Sequence, residues 1–133
     1  MKTTLIFLFS ALCFVGANQA TSQSIFDQWP QLNDYHSVMS STFHPAEEDD
    51  LEPLKTKSGE LSEKAAALAK ADIPEQFLSD DIKDAVKQLA KDSKSLDKMV
   101  NKGKSTDVEL KAAIYDLHDV FHKIVGLCRH EDH

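Results

Sequence analysis

Four stretches of the chain place apolar residues alternately three and four positions apart, the spacing that gathers side chains along one face of an α-helix. In residues 27–43 the stripe is Trp29, Leu32, His36, Met39 and Phe43. His44-Pro45 is expected to end that helix, because a proline disfavours helical backbone at the residue before it. The second stripe, Leu51, Leu54, Ser58, Leu61, Ala65 and Leu68, follows the acidic turn 47–50 and carries Pro53 in its first turn, where a missing amide costs nothing. Ala71-Asp72-Ile73-Pro74 makes a connection, and 74–77 is expected to add a short extra turn. The third helix, about 79–101, opens on the capping run Ser79-Asp80-Asp81 and aligns Ile82, Val86, Leu89, Ser93, Leu96 and Val100. Gly103 stops it. Ser105 or Thr106 caps the fourth helix, whose stripe is Leu110, Ile114, Leu117, Phe121, Ile124 and Cys128.

No run of alternating β-branched residues occurs after residue 17, so no sheet is expected. Short connections favour antiparallel neighbours, which makes the expected fold all-α: an up-down-up-down four-helix bundle over residues 27–128. The turns near residues 47 and 103 then share one end. Residues 18–26 are read as a flexible lead-in and 129–133 as a disordered polar tail.

Ahead of the first stripe the pattern changes. Lys2 is followed by twelve residues, Leu5 to Gly16, that are nearly all apolar and uncharged. This run is too short to span a bilayer and is placed for secretion. Val15-Gly16-Ala17 presents small side chains to a signal peptidase, so residues 1–17 are read as a signal peptide and the protein as periplasmic or secreted. A lipid anchor at Cys13 is disfavoured, because Leu12 stands where a small residue is needed.

Removal of residues 1–17 leaves 116 residues, enough for one domain with one core. The formal charge of −7 becomes −8 with the loss of Lys2 and is spread along the helices. A surface of that sign argues against nucleic acid and against anionic membrane as partners. Cys13 leaves with the signal peptide, so Cys128 has no partner for an intramolecular disulfide. It is a buried small hydrophobe, a metal ligand or an intermolecular bridge.

Three of the four seams are interrupted by a polar residue: His36, Ser58 and Ser93. Counted along each helix from the shared end, they fall at similar heights, level with His118 on the fourth helix. One reading is an inert layer in which Ser58 and Ser93 satisfy the imidazoles by hydrogen bonds. The other is a metal site built from facing helices. His118 and His122, four apart, share a helix face, and His36 and Met39 are three apart. Imidazole with thioether or thiolate suits copper, and imidazole with carboxylate suits zinc. Asp116 and Asp119 are candidates to orient a ligating ring. His44, Glu47 and Cys128 are weaker candidate ligands. The zinc-protease glutamate is absent, since Asp119 follows His118, and no nucleophile with an adjacent base is evident.

Helix order and length resemble the exported four-helix cytochromes of the b and c-prime types. The b-type likeness implies haem between a methionine of the first helix and a histidine of the last, here Met39 with His118 or His122. The c-prime signature C-x-x-C-H is missing, so covalent haem is not implied. The strings Trp29-Pro30, His36-x-x-Met39, Thr42-Phe43-His44-Pro45-Ala46-Glu47-Glu48 and Leu117-His118-Asp119-x-Phe121-His122 also look like a group of uncharacterised exported proteins of Bacteroidetes-type bacteria. That likeness implies a periplasmic address and no activity. Together these readings favour a non-enzymatic exported bundle that holds copper or zinc through histidines of its first and last helices. A protein-interaction bundle with an inert polar layer is the alternative, and non-covalent haem binding the third reading.

Overall fold

The computed structural model describes residues 24–130, and every regular element among them is helical. The elements are α1 (Ile25–Gln28), α2 (Pro30–Glu47), α3 (Glu52–Lys70), a 3-10 turn (Glu75–Phe77), α4 (Asp80–Lys102) and α5 (Asp107–His130). Residues 1–17, read as a signal peptide, residues 18–23 of the expected lead-in and residues 131–133 of the expected tail lie outside the described residues. Ser24 to Phe26 are already structured. Ser24 opens α1 with a capping box, its hydroxyl accepting from the Asp27 amide at 3.2 Å while its own amide donates to the Asp27 carboxylate at 3.3 Å. At the other end, α5 continues through Arg129 and His130, two residues into the stretch that composition marks as a polar tail.

Each helix begins and ends where local chemistry permits. Pro30 has no amide to offer a preceding turn, so Trp29 (φ −133°, ψ 83°) separates α1 from α2. Ser79 caps α4 and Thr106 caps α5, the latter through a second reciprocal box with Glu109. Gly103, at φ +64°, closes α4 in the left-handed conformation that glycine adopts without steric cost.

Pro45 does not end α2, contrary to expectation. The helix runs on to Glu47 and closes at Asp49, whose φ of +62° is left-handed. The Asp49 amide bonds the Ala46 carbonyl at 3.0 Å and the Asp50 amide bonds the Pro45 carbonyl at 2.9 Å. These bonds form a Schellman closure with aspartate where glycine is usual. Pro45 forfeits only the amide that would have met the Ser41 carbonyl, and the closure holds the turn that follows it.

Packing closes the long helices into a cycle, α2 on α3, α3 on α4, α4 on α5 and α5 on α2, with α1 lying on α2. Lys111 to Asp49 (2.6 Å) and Lys55 to Asp107 (2.9 Å) bring the α2–α3 and α4–α5 turns to one end. At the opposite end Trp29 stacks on Phe77, ring centroids 6.1 Å apart. All six positions of the α3 and α5 stripes are buried, and on α4 all but Val100 are. Burying side chains of this kind contributes about 1.5–3 kcal/mol each.

On α2 the seam departs from the sequence pattern. Tyr35, Val38 and Thr42 are buried beside Leu32, Met39 and Phe43, while His36 is only half-buried. The helix is turned so that Tyr35 reaches into the bundle, where its hydroxyl lies 3.0 Å from Ser93 Oγ. Burial raises the phenol well above its ordinary pKa, so the group remains a neutral hydroxyl. Ser58 donates to Asp97 Oδ1 at 2.8 Å. Both serines are therefore satisfied by partners other than histidine, which corrects the expected layer of His36 and His118 facing Ser58 and Ser93.

Tyr35→Phe leaves Ser93 Oγ buried without that partner and is expected to cost about 1–3 kcal/mol. The double variant Tyr35→Phe/Ser93→Ala should lose less than the sum of the single variants, because the stranded hydroxyl is gone. Urea unfolding of the four proteins measures the difference.

Candidate functional site

The histidines collect between α2 and α5. A groove of about 240 Å³ is lined by His36, Met39, Ser40, Phe43 and His44 of α2, by His118, Phe121, His122, Val125 and Arg129 of α5, and by Phe26 of α1. Helical spacing explains the set: His36, Ser40 and His44 follow one another at four-residue intervals, as do His118 and His122. Phe121 belongs to the buried seam and carries the floor of the groove into the core, as does Met39, which is 1% exposed.

Aromatic rings hold the imidazoles in place. Phe43 lies flat on His118, centroids 3.6 Å apart and planes within 5°. His36 is stacked on Phe26 at 4.4 Å and on Phe121 at 5.4 Å, the two phenyl rings themselves 6.3 Å apart. Its Nε2 is 3.2 Å from Ser40 Oγ. His44 Nδ1 meets Glu47 Oε2 at 3.0 Å on the exposed rim. On α5, His118 Nε2 and His122 Nε2 face each other at 3.2 Å, the two rings steeply inclined.

That last distance admits two chemical states. If one Nε2 bears a hydrogen and the other does not, the pair is a hydrogen bond. If both are unprotonated, two lone pairs are brought close together. Nitrogens each about 2.0–2.1 Å from a tetrahedral ion stand about 3.3 Å apart, so the separation already matches a shared metal. Double protonation is the disfavoured state. The His118 pKa lies below its ordinary value of 6.5, through partial burial first and then repulsion from His122, with Asp119 and Glu47 opposing. His36 is lowered from the same value, again by partial burial first, then by His44 and His122.

Of the candidate ligands named by the sequence, His36, Met39, His44, His118 and His122 come together on this groove, but only His118 and His122 present nitrogens to each other. Glu47 is engaged with His44, and Cys128 is fully buried in the core. No group of three or more histidine, cysteine, aspartate or glutamate side chains is placed to hold a metal ion among the described residues. Sequence reasoning missed Phe26, Ser40 and Arg129. Ser40 was accessible from its four-residue spacing to His36, whereas Phe26 required the short α1 that brings its ring over the groove. No described helix is long and apolar enough to cross a membrane. Comparison with protein families, curated proteins and solved structures finds no match.

Lowered histidine pKa values fix the sign of a pH effect. In the window below 6.5 the unfolded chain binds more protons at His36 and His118 than the folded one. Stability contributed by these neutral rings is complete above pH 6.5 and is lost as pH falls through the lower folded values. Thermal midpoints should therefore drop between pH 7 and pH 5. His36→Ala/His118→Ala should flatten that slope, and the imidazole resonances of both rings should titrate below the ordinary histidine range.

Proposed function

We propose that this chain is an exported, up-down-up-down four-helix-bundle protein that binds a transition metal, copper or zinc, through His118 and His122, and serves in metal buffering or delivery. The observation that carries the reading is the 3.2 Å approach of the two Nε2 atoms, with Phe43 stacked on His118 to fix its ring. Pre-set ligands bind more tightly because less ordering is left to do on association. Met39 on the groove floor adds a thioether within the same pocket, a donor that favours copper. The cavity, about 240 Å³, lies below the range of about 300–1,000 Å³ usual for small-molecule sites, which favours an ion over a porphyrin. Export rests on the residue 1–17 pattern, and the bundle order on the short connections and the two ion-paired turns.

Two hydrogen bonds favour a second reading, a non-enzymatic interaction bundle with an inert polar interior. Tyr35 with Ser93 and Ser58 with Asp97 satisfy those side chains of the core without any ligand. The two readings part at the groove, where the interaction bundle needs no metal.

Protein lacking residues 1–17 and any histidine tag is expected to take up copper or zinc on calorimetric titration. His118→Ala and His122→Ala should each weaken binding at least tenfold, whereas His36→Ala should retain it, because the His36 ring is stacked and bonded to Ser40. A wild-type chain that ignores both metals would remove the metal reading and leave the interaction bundle.

A further inference from the structure

The metal reading leaves a gap that the chain itself does not fill. His118 and His122 offer two nitrogens, tetrahedral structural zinc takes four ligands, and no third histidine, cysteine, aspartate or glutamate joins them among the described residues. The pair is also accessible: His122 is exposed on α5. It continues a stripe of residues seven apart, Val108, Tyr115, His122 and Arg129, the repeat that lets one helix run along another. Val108 is 79% exposed and Tyr115 38%, two of the three large apolar residues left in water among the described residues.

Gly126 lies one turn beyond His122 on the same side of α5. A glycine inside a helix costs about 1 kcal/mol relative to alanine. A Cβ built at Gly126 meets no atom within 4 Å, so nothing packed inside this chain requires the missing side chain. What it permits is close approach by a backbone from outside. Asp119 lies directly after His118 and Lys123 directly after His122, so charges of both signs border the histidines at an antiparallel crossing.

We infer that α5 packs antiparallel against α5 of a second copy of this chain, and that one zinc-class ion on the twofold axis is held by His118 and His122 of both copies. The inference rests on the metal reading above and adds the partner that completes the coordination. A twofold contact uses the same surface twice, so two bidentate imidazole pairs make four ligands from one patch. The ion also offsets repulsion between two chains that, without residues 1–17 and hence Lys2, each carry a formal charge of −8.

Zinc is titrated into the protein lacking residues 1–17, which keeps every described helix, and mass is followed by sedimentation velocity. Half an equivalent of zinc per chain should convert monomer to dimer, and EDTA should reverse it. Gly126→Leu should fill the approach and weaken dimerisation by roughly tenfold or more while zinc still binds. His122→Ala, with helical content checked by circular dichroism, should abolish dimer and binding together. A monomer holding one zinc per chain overturns this inference and leaves the metal reading standing. Absence of zinc and copper binding overturns both. A dimer that survives EDTA, or one indifferent to Gly126→Leu, also overturns the inference.

Discussion

Tyr35 and Ser93 meet inside the bundle, hydroxyl to hydroxyl at 3.0 Å, and the rotation of α2 follows from that bond. Turning α2 by one residue would carry His36 inward and Tyr35 outward, leaving Ser93 without this partner and the large ring of Tyr35 in water. A buried hydroxyl stranded in that way costs about 1–3 kcal/mol, a sizeable share of the stability of a domain this small. The tyrosine therefore takes the seam and the histidine goes to its edge. The α2 side of the groove depends on this choice, because His36 at the edge stacks against Phe26 and Phe121 where α2 faces α5.

The same rotation explains what could be read from the chain and what could not. The stripes of α3 and α5 were legible because each consists of apolar or small residues with one face to bury and nothing competing for it. On α2, Tyr35 and His36 are neighbours, both amphipathic, and periodicity alone cannot say which of them a core will accept. The decision is made by a partner 58 positions away, Ser93, which no local pattern contains. Pro45 was opaque for a related reason. A proline in the last turn is a helix stop only if the chain beyond it cannot close, and the left-handed Asp49 closes it.

Location of the site was more legible than its geometry. His36, Met39, His44, His118 and His122 line one groove because helix spacing brings each set to the α2–α5 boundary. Depth and direction were hidden, since ring orientation depends on stacking partners from three different helices. Phe43 from α2 and Phe26 from α1 contribute no polar atom, and yet Phe43 sets the plane of the His118 ring and Phe26 that of His36. Flat stacking also withholds solvent from one side of each ring, which is the first cause of the lowered His36 and His118 pKa values.

These constraints act together on α5. His118 and His122, one turn apart, bring two ring nitrogens within reach of a shared proton or, on the metal reading, a shared ion. A proton would satisfy only one acceptor, whereas an ion would take both nitrogens at the separation they have. On the metal reading repulsion points the same way: two protons on His118 and His122 would repel each other at 3.2 Å, whereas one cation would lie in front of both rings, and the surrounding chain, with 22 acidic against 15 basic residues, would supply compensating charge. An acidic bundle would then hold a cation through imidazoles while its carboxylates serve helix caps and surface ion pairs.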